Sequence, residues 1–148
     1  MSITEKELQK EQLIKLINGN LNWSESSIRS FSKDTLGLIY NRLLHREYVG
    51  KAKISSKQNH ETRFYIPVEI RNKYGIGYGS RFNIKLNPFK KELYLDFVSN
   101  GKYKVGTKGM LRLPYQLFEK RIIKEKDDAL LLFDDNRLTI KSFTFLQN

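Results

Sequence analysis

The sequence contains no cysteine, only two histidines, three prolines and one tryptophan. Without cysteine there is no disulfide framework, no thiolate metal site and no thiol catalysis. The two histidines, His45 and His60, lie far apart in the chain and leave little for a zinc or iron site. No apolar run approaches the roughly 18 residues of a membrane span, and the N-terminus has no hydrophobic secretory region. We therefore expect a cytoplasmic protein that uses no metal, no cofactor and no membrane.

The positive charge is unevenly distributed. The 148 residues include 27 Lys and Arg against 16 Asp and Glu, a formal net charge of +11. Residues 1–49 have a net charge of +1, whereas residues 50–148 have a net charge of +10. Because 39% of the residues are hydrophobic, this charge belongs to a folded domain and not to a disordered tail. Such asymmetry indicates a surface that binds a polyanion; the alternative is a solvated lysine-rich face.

Residues 1–48 are predicted to form a small helical domain. One apolar stripe at helical spacing ends at Gly19, and a second follows Ser32, which is a good N-cap residue. Ser24 is suited to cap a short helix between the two. The order of helix, extended connection and helix loosely resembles the SAP and helix-extension-helix modules that bind DNA. The alternatives are packing on the rest of the protein and contact with a protein partner.

From Val49 onward the pattern changes to short β-type runs bounded by glycine, asparagine and aspartate. The predicted strands are Lys51–Ser56, Thr62–Ile66, Ser80–Leu86, Leu93–Val98, Lys102–Gly106, Leu111–Leu113, Ala129–Phe133 and Leu138–Phe143. Pro67 is suited to open a short helix, because its missing N–H would have no partner there. Gly75 is suited to end that helix in a left-handed C-cap. The pattern predicts an α+β fold in which a helical domain precedes a β-rich domain of residues 49–148.

The β-rich part contains an internal repeat. Superimposing Pro67 on Pro114, an offset of 47 residues, aligns residues 50–99 with residues 100–144 almost without gaps. The matched apolar positions are Phe64 with Leu111, Ile66 with Leu113, Ile70 with Leu117, Ile76 with Ile123, Phe82 with Ala129, Ile84 with Leu131, Leu86 with Phe133, Leu93 with Leu138 and Leu95 with Ile140. Since one unit alone would expose strand edges and an apolar face, we expect both to form one intramolecular β-barrel. The alternative is two chance β-helix-β stretches in a larger α+β domain.

Residues 63–80, Arg-Phe-Tyr-Ile-Pro-Val-Glu-Ile-Arg-Asn-Lys-Tyr-Gly-Ile-Gly-Tyr-Gly-Ser, resemble the signature of AbrB/SpoVT-like swapped-hairpin DNA-binding domains. Residues 109–129 are a weaker match to the same signature. The resemblance covers about residues 50–144, and two such units on one chain are similar to the arrangement in the MraZ regulators. It implies a swapped-hairpin (AbrB-like) barrel that presents loop arginines to double-stranded DNA.

The family's Gly-Arg pair is incomplete in both copies. Thr62 precedes Arg63 in the first copy, and Met110 follows Gly109 in the second. Identical contacts to the two halves of a palindrome are therefore not expected. We predict a DNA site without strict two-fold symmetry unless two chains associate.

The family's DNA-contacting positions fall on basic residues of this chain. In the first copy the resemblance implies Arg63 and Arg71, with Lys53 or Lys57 as the equivalent of a first-strand arginine and Lys73 adjacent. In the second copy the corresponding region holds Lys102, Lys104, Lys108 and Arg112, followed by Lys120 and Arg121. Arginine suits bidentate contacts to guanine, and lysine more often holds phosphate. Strand alternation places Arg112 on the outer face, and the alternative for Arg71 is a structural ion pair with Glu69.

The sequence thus predicts a double-stranded DNA-binding protein, most simply a nucleoid-associated transcriptional regulator. We expect either a monomer with a pseudo-dimeric barrel or a homodimer. The sequence has no glycine-rich phosphate loop, HExxH motif or nucleophile elbow, so we expect no enzymatic activity. The alternatives are a protein-binding module, such as an antitoxin or a viral or plasmid-encoded inhibitor, the recognition domain of a separate nuclease, and an RNA-binding protein.

Overall fold

The computed structural model describes residues 9–55, 61–114 and 116–147. They form an α+β protein of two compact units. The described residues of the first unit are 9–47 together with 146 and 147, and those of the second lie between 48 and 145. The return of residues 146 and 147 to the first unit has no signal in the sequence.

Within its described residues the first unit contains three helices, as the apolar stripes and cap residues predict. They are α1 (Lys10–Asn18), α2 (Glu25–Ser30) and α3 (Lys33–Leu44). The Ser24 side chain accepts a hydrogen bond from the Ser27 N–H at 3.2 Å, and the Ser32 side chain accepts one from the Thr35 N–H at 3.2 Å. Both predicted N-caps are therefore confirmed, since each satisfies a backbone N–H that the helix itself leaves unpaired.

The second unit is β-rich, and each predicted strand is found within three residues of its predicted ends. Its elements are β1 (Tyr48–Lys53), β2 (Glu61–Tyr65), α4 (Val68–Tyr74), β3 (Arg81–Asn87), β4 (Glu92–Phe97), β5 (Tyr103–Lys104), β6 (Met110–Pro114), α5 (Gln116–Glu119), β7 (Asp128–Asp134) and β8 (Arg137–Ser142). Six strands form an antiparallel sheet in the order β1-β7-β8-β4-β3-β5. The strands β2 and β6 pair with each other in a separate antiparallel ribbon.

Strand pairing joins the two repeated stretches. Apart from the hairpins β3–β4 and β7–β8, every strand pair links residues 48–97 to residues 103–142. The register is symmetric with respect to the repeat. In the ribbon, Phe64 faces Leu111, its own match in the other stretch. Between β4 and β8, Leu93 faces Ile140, the match of Leu95, and Leu95 faces Leu138, the match of Leu93. Each stretch therefore completes its hydrogen bonding only with the other.

The closed barrel that the repeat predicts is not found in the described residues. The six-stranded sheet ends at β1 on one side and at β5 on the other. The strands that follow these edges, β2 and β6, pair with each other, so the ladder does not continue around into a cylinder. An isolated bridge between Ile54 and Phe64 links the ribbon to the chain after β1.

The core follows the sequence pattern closely. Every matched apolar position of the two stretches lies in one hydrophobic cluster or packs against it. Ile84 and Leu86 are partly buried, and each of the other matched residues is at most 6% exposed. The predicted core is confirmed, because strand alternation and helical spacing turn these side chains toward the interior.

The two short helices differ at their C-terminal ends. Gly75 ends α4 with φ 66°, the left-handed cap that the sequence predicts, and Pro67 is the N-cap just before the first helical residue. After the shorter helix α5, the left-handed position is occupied by Arg121 with φ 54°. Since a side chain is strained there and glycine is not, the second copy has the less favourable helix end.

Candidate nucleic-acid interface

Two arginines face each other on the exposed side of the β2/β6 ribbon. The register pairs Arg63 directly with Arg112, and both residues are exposed, whereas Phe64, Leu111 and Leu113 are buried on the other side. The outward position predicted for Arg112 is thus confirmed. Directly opposed residues have Cβ atoms about 4.5–5.5 Å apart, and like charges at that separation repel. This part of the ribbon is therefore suited to an anion.

One end of the ribbon is apolar. Tyr65 faces Met110, and Tyr65 is 45% exposed. The repeat matches Arg63 with Met110 and Tyr65 with Arg112, so a two-fold operation would exchange the arginine pair with the apolar pair. The arginine pair therefore lies at the middle of the ribbon, with the Tyr65–Met110 pair at one end and Glu61 opposite Pro114 at the other.

A second like-charge pair lies at the β5 edge of the sheet. Lys104 on β5 faces Arg81 on β3, whose Nη1 donates to the Gly101 carbonyl oxygen at 3.0 Å. At the opposite edge, Lys53 on β1 faces Asp128 on β7. Positive charge is therefore concentrated at β5. Arg81 was not among the sequence-predicted site residues, because only the pairing of β5 with β3 shows its place beside Lys104.

Arg71 is held against the turn that precedes β6. Its Nε–H donates to the Ile66 carbonyl oxygen at 3.1 Å, and the Ile66 N–H donates to the Gly109 carbonyl oxygen at 2.9 Å. A Cβ atom built on Gly109 would lie 2.7 Å from Arg71 Cδ, so the arginine stem lies directly over the glycine. The contact with a backbone carbonyl differs from the ion pair with Glu69 that the sequence left open. Lys108 is exposed in the same turn, with φ 59°.

The remaining predicted residues have other surroundings. The Lys73 ammonium lies 5.5 Å from the Tyr74 ring centroid, and the Lys102 ammonium lies 5.6 Å from that of Tyr103. Lys120 and Arg121 are exposed after α5. Lys57 lies outside the described residues, as does His60. The structure thus places five of the predicted residues at the ribbon, at the turn before β6 or on β5: Arg63, Arg71, Lys104, Lys108 and Arg112. The contacts of the described residues do not place Lys73, Lys120 or Arg121 there.

The chain from the end of β4 to α5, which includes β5 and β6, is depleted of acidic residues. No Asp or Glu occurs in the sequence between Asp96 and Glu119. Asp96 itself bonds Arg137 through two contacts, Nε to Oδ1 at 2.7 Å and Nη2 to Oδ2 at 3.2 Å. These hydrogen bonds from Arg137 lower the pKa of Asp96, with a further contribution from Lys85. Because Asp96 is already neutralised by neighbouring cations, it does little to offset the charge near β5.

In the part of the chain that the structure describes, no helix has both the length and the apolarity needed to cross a membrane.

Compared with known proteins, the chain matches no protein-family model, no curated protein and no solved structure.

Proposed function

We propose that this chain binds double-stranded DNA, most simply as a transcriptional regulator, through the exposed face of the β2/β6 ribbon. The observation that supports the proposal most is the direct opposition of Arg63 and Arg112. Two cations placed face to face repel each other, and an anion bound at the pair reduces that repulsion. The phosphates and the guanine edges of a duplex supply such partners at close spacing.

The swapped-hairpin architecture is part of the same proposal. It is supported by the exchange of first strands, in which β1 pairs with β7 of the other stretch and β5 pairs with β3. It is further supported by Pro67 and Gly75, which bound α4 as the resemblance implies. We infer two interlocked hairpin units in one chain, although their strands do not close a barrel within the described residues.

The proposed binding mode follows from the ribbon's dimensions and side chains. A two-stranded β-ribbon fits the major groove of B-DNA. Arg63 and Arg112 would contact base edges, where bidentate contact to guanine discriminates between sequences, and Lys104 and Lys108 would neutralise phosphates. The Tyr65–Met110 end offers an apolar surface that suits a thymine methyl group. The recognised sequence should therefore be asymmetric.

The test measures duplex binding by fluorescence anisotropy over a range of salt concentrations, first with a mixed random duplex and then with sequences selected from it. Contact with about six phosphates predicts a slope of log K against log salt of roughly −5. Arg63→Ala should weaken binding to the selected sequence by about 1–3 kcal/mol. It should also reduce the difference in affinity between the selected sequence and random DNA. Lys108→Ala should weaken all sequences alike. Lys90→Ala, which removes one exposed charge in the β3–β4 hairpin, is the matched control.

Two results would contradict the proposal. One is absence of duplex binding at low salt, which would favour the protein-binding module instead. The other is a set of Arg63→Ala and Arg112→Ala variants that bind no more weakly than Lys90→Ala.

A further inference from the structure

A cleft of about 300 Å³ lies beside β5 and the start of β6. Its lining residues are Phe82, Tyr103, Lys104, Gly106, Met110 and Arg112. The Phe82 and Tyr103 rings stack with centroids 5.6 Å apart and planes inclined by 24°, and Phe82 is buried. The apolar side of the cleft is therefore held in place by the core.

Gly106 lines the cleft at the turn before β6. Its N–H donates to the Met110 carbonyl oxygen at 2.8 Å, which fixes the turn. A Cβ atom at Gly106 would lie 3.4 Å from Met110 Cε, in van der Waals contact with the thioether wall. Since Gly106 has an extended conformation with φ −85°, a larger side chain there meets no backbone strain and would occupy space beside Met110.

The two cations of the cleft each have a like-charged neighbour across a strand pair. Lys104 faces Arg81, and Arg112 faces Arg63. An anion bound between Lys104 and Arg112 would have a cationic partner on either side. The cleft thus combines a positive rim with an aromatic and thioether wall, a combination that suits a phosphate ester of an aromatic ring.

We propose that the cleft binds a single nucleotide, with its phosphate between Lys104 and Arg112 and its base against Tyr103 and Met110. A volume of about 300 Å³ is at the lower end of the range for ligand sites, so one nucleotide fits and a longer segment does not. Free nucleotides and unpaired nucleotides of DNA share this chemistry. We assign the cleft to DNA, because a duplex on the ribbon would lie beside it, and in this respect the inference rests on the proposed function.

This assignment has a consequence for the preferred DNA. A paired base is stacked on both faces inside the duplex and must leave the stack to enter a pocket, at a cost that is least where it is already unpaired. The protein should therefore bind a duplex with one unpaired thymidine more tightly than the fully paired duplex. Contact of a base with an aromatic wall predicts a preference of roughly 5-fold or more.

The experiment compares five probes with the full chain. Thymidine monophosphate, thymidine and inorganic phosphate are titrated by NMR, and the paired and bulged duplexes by anisotropy. We expect thymidine monophosphate to bind about ten-fold more tightly than thymidine or phosphate, since it alone uses both sides of the cleft. Tyr103→Ala and Gly106→Val should each abolish the preference for the bulged duplex and leave binding of the paired duplex unchanged. Gly106→Val fills the cleft without removing core contacts, so it tests the inference even if Tyr103→Ala does not fold.

Arg63→Ala is the control, because Arg63 does not line the cleft. It should weaken both duplexes equally and leave the preference for the bulged duplex unchanged. If the paired duplex binds but the bulge and the monophosphate confer no advantage, the inference is wrong and the proposed function stands. If the monophosphate binds and neither duplex does, the assignment to DNA is overturned together with the proposed function.

Discussion

Replacing Arg63 by glutamate is expected to stabilise the protein while it abolishes duplex binding. The substitution turns the Arg63–Arg112 opposition on the ribbon into a cross-strand pair of opposite charges. Stability and duplex binding should then change in opposite directions, because the added glutamate attracts Arg112 but repels DNA phosphates.

The size of the effect follows from the separation and the exposure of the pair. Directly opposed charged residues on exposed strands contribute about 0.2–1 kcal/mol, favourable for opposite charges and unfavourable for like ones. Removing a repulsion of about 0.5 kcal/mol and adding an attraction of similar size gives about 1 kcal/mol. The lower strand propensity of glutamate removes a few tenths of that gain. We therefore expect a net stabilisation of about 0.5–1 kcal/mol at low salt.

Urea unfolding at 20 mM and at 1 M sodium chloride measures this change. The gain should nearly vanish at 1 M salt, where the Debye length is about 3 Å. Lys90→Glu is the matched control, since it changes the net charge equally but alters a residue of the β3–β4 hairpin turn that has no cross-strand partner in the strand register. An Arg63→Glu variant that is less stable than the wild type at low salt, or a Lys90→Glu variant with the same gain, would refute the argument from the strand register.

Two further perturbations test the structure around the ribbon. Gly109→Ala should destabilise the second unit by about 2 kcal/mol in urea unfolding, because φ at Gly109 is 75° and the added Cβ would lie 2.7 Å from Arg71 Cδ. Gly77→Ala is the control and should be nearly neutral, because no heavy atom lies within 4 Å of the added Cβ. Asp96→Asn should cost about 1 kcal/mol at pH 7, since it removes the charge that Arg137 holds. The pKa of Asp96 is lowered in the folded protein, so its contribution is complete above about pH 4, the range of an unfolded aspartate, and is lost as the pH falls through the lower folded pKa. The urea midpoints of wild type and Asp96→Asn should therefore converge in acid, and a constant difference from pH 7 to pH 2 would contradict this.

The features that the sequence predicted well are those that local chemistry determines. Ser24 and Ser32 cap helices because a short side chain reaches the next turn, and Gly75 ends α4 because its backbone is left-handed there. The core positions were predictable for a similar reason, since alternation along a strand assigns Phe64 and Leu111 to the buried face without any knowledge of their partners.

Long-range pairing could not be predicted in this way. The opposition of Lys104 and Arg81 depends on β5 pairing with β3, and each strand pattern alone is equally compatible with another neighbour. The closed barrel that the repeat predicted is not found in the described residues, because strand number and order do not fix which edges remain unpaired. For the candidate site, strand alternation predicted the outward position of Arg112, but only the register brings Arg112 opposite Arg63.

The return of residues 146 and 147 to the helical unit has a consequence for synthesis on the ribosome. The Leu146 carbonyl oxygen accepts hydrogen bonds from the Ser32 N–H at 2.8 Å and from the Thr35 hydroxyl at 3.3 Å. Phe31 and Gln147 form an isolated antiparallel β-bridge. Thr35 and Leu146 are 111 residues apart, which at 5–20 residues per second corresponds to a delay of roughly 6–20 s. The three helices therefore leave the ribosome before residues 146 and 147 are made. Until then the Ser32 N–H can donate only to water or to a chaperone.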